Sequence, residues 1–127
     1  MKFARVFSLA LVLLAPAAAS AQTAADRSWP GFWRQFTSAV RSKNRAAIRR
    51  LMSSEADFIT TGGIGNRNDF LKMFDDKSYW GDVRRSADQG VVSFVSEKGR
   101  PGRRTRDKYL TFEFIGGRWR FVGLFGD

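Results

Sequence analysis

The stretch YLTFEFIGGRWRFVGLFGD, residues 109–127, decides the fold of this chain. Its Gly116-Gly117 pair suits a two-residue turn in which both residues have positive φ. Such a turn pairs Ile115 with Arg118 and places alternate residues of both arms on one face of the ribbon. The apolar residues on that face are Leu110, Phe112, Phe114, Trp119 and Phe121. The stretch therefore predicts a β-hairpin that forms one wall of the hydrophobic core.

The other face of this hairpin is predicted to point to solvent. The same register places Glu113 opposite Arg120, where we expect an exposed cross-strand ion pair worth about 0.2–1 kcal/mol. Val122 and Leu124 are expected to be exposed on this face as well. A shift of the register by one residue would move the aromatic row into water, so the register is strongly specified.

Upstream of the hairpin, apolar residues recur at the spacing of an amphipathic helix. Ser28 is a capping residue before Trp29-Pro30, and a proline in the first turn is typical of a helix start. The apolar positions of this helix are Trp29, Phe32, Trp33, Phe36 and Val40. Residues 42–44 interrupt the pattern, and a second helix is predicted over about 45–52. The two helices should form an antiparallel pair that covers the aromatic ribbon.

Between the helices and the hairpin, the pattern predicts shorter elements. Residues 57–61 are typical of a short strand, and Asn66 can cap a third helix over about 67–74. Residues 75–88 have no clear period and are predicted to be a loop, with a strand near Tyr79-Trp80. The rest of the chain predicts an antiparallel meander with strands over 91–97, 106–115 and 118–125.

The first 21 residues predict a secretory signal peptide. Lys2 and Arg5 form its charged start, residues 6–14 are an apolar run, and Ala19-Ser20-Ala21 fits the A-x-A cleavage pattern. The apolar run is too short to cross a bilayer, which needs roughly 20 residues. We therefore expect a single domain over 22–127 that is exported, either to a periplasm or out of the cell, and that does not span the membrane after cleavage.

The composition narrows the possible chemistry. The 127 residues include no histidine and no cysteine, and the formal net charge is +10. Without histidine, Ser-His-Asp and Cys-His catalysis and histidine-ligated zinc sites are excluded. Without cysteine, the core must hold the fold without disulfides. No cofactor and no metal site are expected, because the acidic residues lack the spacing of a calcium loop.

Three stretches carry a resemblance to a known family through their order along the chain. They are FWRQFTSAVRSKNRAAIRRLM (32–52), DFITTGGIGNRNDFLKMF (57–74) and FIGGRWRFVGLFG (114–126). This order resembles the NTF2-like superfamily, also called SnoaL-like or cystatin-like. The resemblance implies an α+β cone in which N-terminal helices pack on a curved antiparallel sheet around a conical pocket. Members include isomerases, polyketide cyclases, dehydratases, transport factors and exported proteins without assigned activity, so membership does not settle the function. The resemblance also implies a possible homodimer through the outer sheet face, with which exposed Val122 and Leu124 would be compatible.

Two functions involve a pocket inside this expected cone. The leading hypothesis is a non-catalytic module that binds a small apolar ligand or a partner between aromatic side chains, although the same side chains could simply be core. They are Trp33, Phe36, Phe112, Phe114, Trp119 and Phe121. The alternative is an isomerase or hydrolase with Asp57 as the base, because a carboxylate near an apolar pocket would have a raised pKa. Catalytic members of the family use a His–Asp or a Tyr and Asp arrangement that this sequence does not match, so the balance favours a protein that is not an enzyme.

A third function uses a predicted basic loop over residues 98–108. Its cations are Lys98, Arg100, Arg103, Arg104, Arg106 and Lys108. Such a loop could bind an anionic envelope glycolipid or polymer by counterion release, or could be a solvated loop that keeps the protein soluble. Nucleic acid is not favoured as the partner, since no aromatic residues that could stack on bases interleave the loop.

Overall fold

The computed structural model describes residues 17–59 and 64–124 of the chain. The elements in these ranges are, in order, α1 Ala17–Arg41, α2 Arg45–Leu51, α3 Arg67–Lys72 followed by a 3-10 turn Met73–Asp75, α4 Tyr79–Asp88, β1 Val91–Val95, β2 Pro101–Thr105, β3 Leu110–Ile115 and β4 Arg118–Leu124. The strands form an antiparallel sheet in the order β1-β2-β3-β4, and helices pack against one of its faces. The predicted α+β class is confirmed. None of the helices in the described ranges has the length and apolarity needed to cross a membrane.

The first helix begins earlier than predicted. It starts at Ala17, so Pro30 lies inside it rather than in its first turn, and residues 1–16 of the predicted signal peptide lie outside the described part. Ser28 is not a cap, because its hydroxyl donates to the Ala24 carbonyl oxygen at 2.8 Å within the helix. Alanine-rich sequence before Pro30 favours helix. A hydrogen bond also attaches this segment to β4, because the Trp119 indole Nε1–H donates to the Ala25 carbonyl oxygen at 2.7 Å.

The second and third helices are where the pattern predicted them. Asn44 caps α2 by accepting from the Ala47 N–H at 3.0 Å, and Asn66 caps α3 by accepting from the Asp69 N–H at 2.9 Å. The structure has isolated β-bridges, and no regular strand, in the described part of the predicted strand over 57–61 and just before it. Residues 52–59 run beside β4, with parallel bridges at Met52 and Ile59, while residues 60 and 61 lie outside the described part.

The prediction of a loop over 75–88, with a strand near Tyr79, is wrong. Residues 79–88 form α4, which buries one face against the core. The buried positions are Tyr79, Trp80, Val83, Ser86 and Ala87. Polar contacts join α4 to β2 and to the turn that follows it. The Tyr79 and Tyr109 hydroxyls lie 2.6 Å apart, and the Ser86 hydroxyl lies 3.0 Å from Thr105 Oγ1 and 2.8 Å from Asp107 Oδ1.

The hairpin register is confirmed. Ile115 pairs with Arg118 and Phe112 with Phe121, and the turn residues Gly116 and Gly117 have φ of +58° and +82°. An irregularity at Thr111/Phe112 interrupts the ladder further along. Val122 and Leu124 are buried, at 0% and 3% exposure, so the expectation that they are exposed is wrong. Val122 is covered because the chain segment 52–59 lies against β4 at this level.

The aromatic face of the hairpin is covered by α1, as predicted. Phe112 is the centre of this packing, because its ring meets the rings of Trp29, Phe32, Trp33 and Phe36 edge-on at centroid distances of 5.0 to 5.7 Å. Burying each such side chain contributes roughly 1.5–3 kcal/mol. We call the sheet face that meets these helices the inner face and the other one the outer face.

Candidate functional site

A groove of about 420 Å3 lies on the outer face of the sheet. We call it the outer groove; the side chains that carry its chemistry are Asp57, Phe94, Lys98, Arg100, Arg104 and Glu113. One wall is the chain segment that runs beside β4, and the other wall is the β1–β2 hairpin with its turn over 96–100. The groove therefore joins two stretches of chain that are some forty residues apart in sequence.

Strand pairing explains why these residues share a face. Phe94 pairs with Gly102, and Gly102 pairs with Glu113, so the three positions lie in one row across the sheet. Arg104 is two residues beyond Gly102 on β2 and points to the same side. Arg103, between them, pairs with Phe112 and belongs to the inner face.

The floor of the groove is built on a glycine. A Cβ atom at Gly102 would lie 2.6 Å from the Phe94 ring, so the ring lies flat against the strand only because Gly102 has no side chain. The Arg104 guanidinium in turn lies over the Phe94 ring, 5.1 Å from its centroid. A guanidinium over an aromatic face is held by cation–π attraction of roughly 0.5–2 kcal/mol. With Phe58 and Ile59 on the facing wall, the groove has an apolar body.

Asp57 closes one end of the groove. Its Oδ1 atom accepts from Arg100 Nη1 at 3.0 Å and from Lys98 Nζ at 3.2 Å. The hydrogen bond from Arg100 and then the one from Lys98 hold the pKa of the Asp57 carboxyl below its usual value. The expectation of a raised pKa at Asp57 is therefore wrong, because two cations rather than an apolar pocket surround the carboxylate. A carboxylate that is paired with two cations and has a lowered pKa is poorly suited to accept a proton at neutral pH.

Glu113 is the second carboxylate of the groove and is nearly buried, with 8% of its side chain exposed. Its Oε1 atom lies 3.6 Å from Arg100 Nη1, which is too long for a hydrogen bond. The exposed ion pair predicted between Glu113 and Arg120 is wrong. The Arg120 guanidinium instead donates to the Arg50 carbonyl oxygen at 3.1 Å, because α2 lies within its reach and the turn over 96–100 brings Arg100 to Glu113.

Three buried polar atoms on this face have no hydrogen-bond partner within the described protein: Arg104 Nε, Thr111 Oγ1 and Glu113 Oε1. Thr111 pairs with Arg104 in register and neighbours Glu113 on β3, so the three atoms belong to one region of the outer face. A buried polar group left without a partner costs about 1–3 kcal/mol. Arg104 and Glu113 both line the groove, so a donor and an acceptor without a hydrogen bond belong to its lining residues.

The six cations predicted to form one basic loop do not form one surface. Residues 101–105 are strand β2, so the prediction of a loop across 98–108 is wrong, and strand alternation sends neighbouring side chains to opposite faces. Lys98, Arg100 and Arg104 line the outer groove. On the inner face, the Arg103 guanidinium donates to Asp26 Oδ1 at 2.9 Å and lies over the Trp29 ring. Arg106 and Lys108 are exposed in the turn before β3.

The six aromatic residues predicted to line a ligand pocket lie on the inner side, away from the outer groove. Five are buried, Trp33 is partly buried, and ring contacts join all of them to one another or to Trp29. Their role in the core is clear from these contacts, while the binding of a ligand among them stays a prediction. Phe94 and Gly102 were not among the predicted site residues. An aromatic residue paired with a glycine on the neighbouring strand is a signal for such a position, but it can be used only once β2 is known to be a strand.

No metal site is apparent in the part of the chain that the structure describes, where no group of three or more acidic side chains is placed to hold an ion. Comparison with known proteins gives no match: no protein-family model, no curated protein and no solved structure is significantly similar to this chain. The chemistry of the outer groove is therefore the basis for the functional proposal.

Proposed function

We propose that this chain is an exported, non-catalytic binding module of the NTF2-like type, with a small amphiphilic ligand bound in the outer groove. The order of helices followed by an antiparallel meander supports the family proposal, and the pattern of residues 1–21 supports export. An NTF2-like cone would have its pocket between the helices and the sheet. The binding proposal does not depend on that pocket, because the outer groove lies on the opposite face.

One observation carries the proposal: two residues that line one groove with apolar walls, Arg104 and Glu113, each have a buried polar atom that makes no hydrogen bond among the described residues. The ligand expected there has an apolar body that packs on Phe94 and Ile59. Its head group offers an acceptor to Arg104 and a donor to Glu113. The volume of about 420 Å3 lies within the range of roughly 300–1,000 Å3 that is usual for small-molecule sites.

We do not propose catalysis, because the surroundings of Asp57, the candidate base, do not suit proton transfer. Its oxygen Oδ1 is shared by Lys98 and Arg100, and its pKa is shifted away from the neutral range in which a general base works. We infer that Asp57 is a structural residue that fixes the 96–100 turn against the far wall, and thereby sets the width of the groove.

The test uses the fluorescent probe 1-anilinonaphthalene-8-sulfonate, which combines aromatic rings, an N–H donor and an anionic acceptor. We expect wild-type protein to bind it at one site, and Arg104→Gln and Gly102→Val to weaken binding at least about fivefold, which corresponds to about 1 kcal/mol. The first change removes the guanidinium, and the second drives the Phe94 ring into the groove.

The matched control is Arg106→Gln, which removes the same charge from an exposed turn of the same strand connection. It should bind the probe as the wild type does. Near-ultraviolet circular dichroism checks that each variant is folded, because the probe also binds loosely packed states. Equal affinity of Arg104→Gln and Arg106→Gln would refute the proposed site.

A further inference from the structure

A second cleft, of about 490 Å3, lies at the edge of the sheet where α2, the start of α3 and β4 meet. Four arginines line it: Arg49, Arg50, Arg67 and Arg120. We call it the arginine cleft. Two hydroxyl side chains, those of Ser53 and Ser54, are also on its wall.

The positive charge of the arginine cleft is not neutralised by ion pairs with the residues that the structure describes. None of the four arginines forms an ion pair with a carboxylate in the described residues, whereas Arg45, a neighbour on α2, pairs with Asp75 at 2.9 Å. The one acidic residue on the wall is Asp57. Its Oδ1 atom already binds Lys98 and Arg100, and its Oδ2 atom accepts from the Ser54 hydroxyl at 3.3 Å.

Two of the four side chains, those of Arg67 and Arg120, are partly buried. Arg120 Nη1 donates to the Arg50 carbonyl oxygen at 3.1 Å, which holds the Arg120 guanidinium at the carboxyl end of α2. Arg67 has its Nε atom buried without a hydrogen-bond partner among the described residues. The exposed carboxylate of Glu55 binds the Arg67 backbone N–H at 3.1 Å and not the guanidinium.

The surroundings of Arg120 disfavour its positive charge. Burial and then the positive charge of Arg118 lower the pKa of the Arg120 guanidinium. An anion bound beside Arg120 would stabilise the charged form of this side chain.

We propose that the arginine cleft is a binding site for a phosphate monoester group. Arginine presents planar forks of N–H donors that match phosphate oxygens, and a phosphate monoester offers three terminal oxygens and nearly two negative charges at neutral pH. Several of the four guanidiniums can therefore donate to one phosphate. The Ser53 and Ser54 hydroxyls already donate within the protein, to the Ser54 carbonyl oxygen and to Asp57 Oδ2. A lone carboxylate, with two oxygens and one charge, would leave most of the guanidinium donors unused.

The experiment measures binding of inorganic phosphate to the full chain by isothermal titration calorimetry, at constant ionic strength in chloride. We expect the double variant Arg67→Ser/Arg120→Ser to bind phosphate at least tenfold more weakly than wild type. The control is Arg34→Ser/Arg106→Ser, which removes the same total charge from exposed positions outside the cleft and should change the affinity less than twofold.

A second double variant distinguishes loss of the binding site from a folding defect. Arg49→Ser/Arg50→Ser alters two exposed side chains of α2 and should weaken phosphate binding as well, with unchanged circular dichroism. If both cleft variants bind phosphate like the control pair, the site is refuted, as it is if wild type does not bind phosphate at all.

Two further arms identify the source of the phosphate group. Phenyl phosphate represents a soluble monoester, and phosphatidylcholine vesicles containing phosphatidic acid represent a lipid headgroup, with pure phosphatidylcholine vesicles as blank. Binding of phenyl phosphate alone assigns the cleft to a soluble ligand, and stronger binding of the anionic vesicles assigns it to a lipid. The Arg67→Ser/Arg120→Ser variant should still bind the fluorescent probe of the outer groove, so failure at one site is distinguishable from failure at the other.

Discussion

Gly123 is the position at which the structure tolerates a side chain least. Its φ is +134°, and a Cβ atom built there would press into the Ile59 carbonyl oxygen and lie 3.2 Å from the Ile59 nitrogen. This close approach lets the Ile59 N–H donate to the Val122 carbonyl oxygen at 2.6 Å, which attaches the 52–59 segment to β4. Gly123→Ala therefore strains the backbone and pushes away the segment that carries Asp57.

The magnitude follows from these two effects. An L-residue in a sparsely populated backbone region costs about 1–3 kcal/mol, and loss of a backbone hydrogen bond costs about 0.5–1.5 kcal/mol. Together they predict a loss of about 1.5–4.5 kcal/mol in the free energy of unfolding, and a decrease in Tm of roughly 4–8 °C for each kcal/mol lost in a domain of this size. Urea denaturation followed by circular dichroism measures the first quantity, and a thermal scan measures the second.

The control separates backbone strain from steric contact. Gly99 also has positive φ, +77°, but a Cβ atom there would have no neighbour within 4 Å. Gly99→Ala should therefore show strain alone, about 1–2 kcal/mol. If Gly123→Ala proved no more destabilising than Gly99→Ala, the attachment of the 52–59 segment through Gly123 would be refuted.

Three further substitutions test contacts at the edges of the sheet. As the pH falls below about 5, the free energy of unfolding measured in urea should decrease less for Asp57→Asn than for wild type. Hydrogen bonds from Arg100 and then Lys98 lower the pKa of Asp57 in the folded state. The stabilisation that they give wild type is present above the ordinary value of 3.8 and is lost as the pH falls through the folded-state value. Trp119→Phe removes the indole N–H that satisfies a buried α1 carbonyl, so it should cost about 1–3 kcal/mol and speed amide hydrogen exchange near the start of α1. Arg103→Ser should lower Tm without weakening binding of the fluorescent probe, because its partners are on the inner face; a selective loss of probe binding would contradict this placement.

The residue pairing of the closing hairpin could be predicted from the sequence because two local signals agree there. The Gly116-Gly117 turn sets the register, and alternation of aromatic and polar residues sets the face. The cap of α3 was predictable for the same reason, since Asn66 accepts from an N–H group only three residues away.

The missed elements depend on contacts with distant residues. Strand β2 has the sequence Pro-Gly-Arg-Arg-Thr, which has little intrinsic strand propensity, and β1 and β3 on either side hold it in the sheet. Helix α4 does place apolar residues at helical spacing, but Gly81 and charged residues between them weaken the pattern. Strand β2 pairs with both β1 and β3, so it is the link between their residues. Because β2 was not predicted, the alignment of Phe94, Gly102 and Glu113 across the sheet could not be predicted either.

The same strand also explains why the net charge of +10 is a poor guide to function in this protein. Arg103 and Arg104 are adjacent in sequence, yet one lies over the Trp29 ring against the helices and the other lies over the Phe94 ring in the outer groove. A substitution that removes both would mix a change in stability with a change in binding. Because a strand sends consecutive side chains to opposite faces, the basic residues of β2 have separate roles, and each has to be tested by a single substitution.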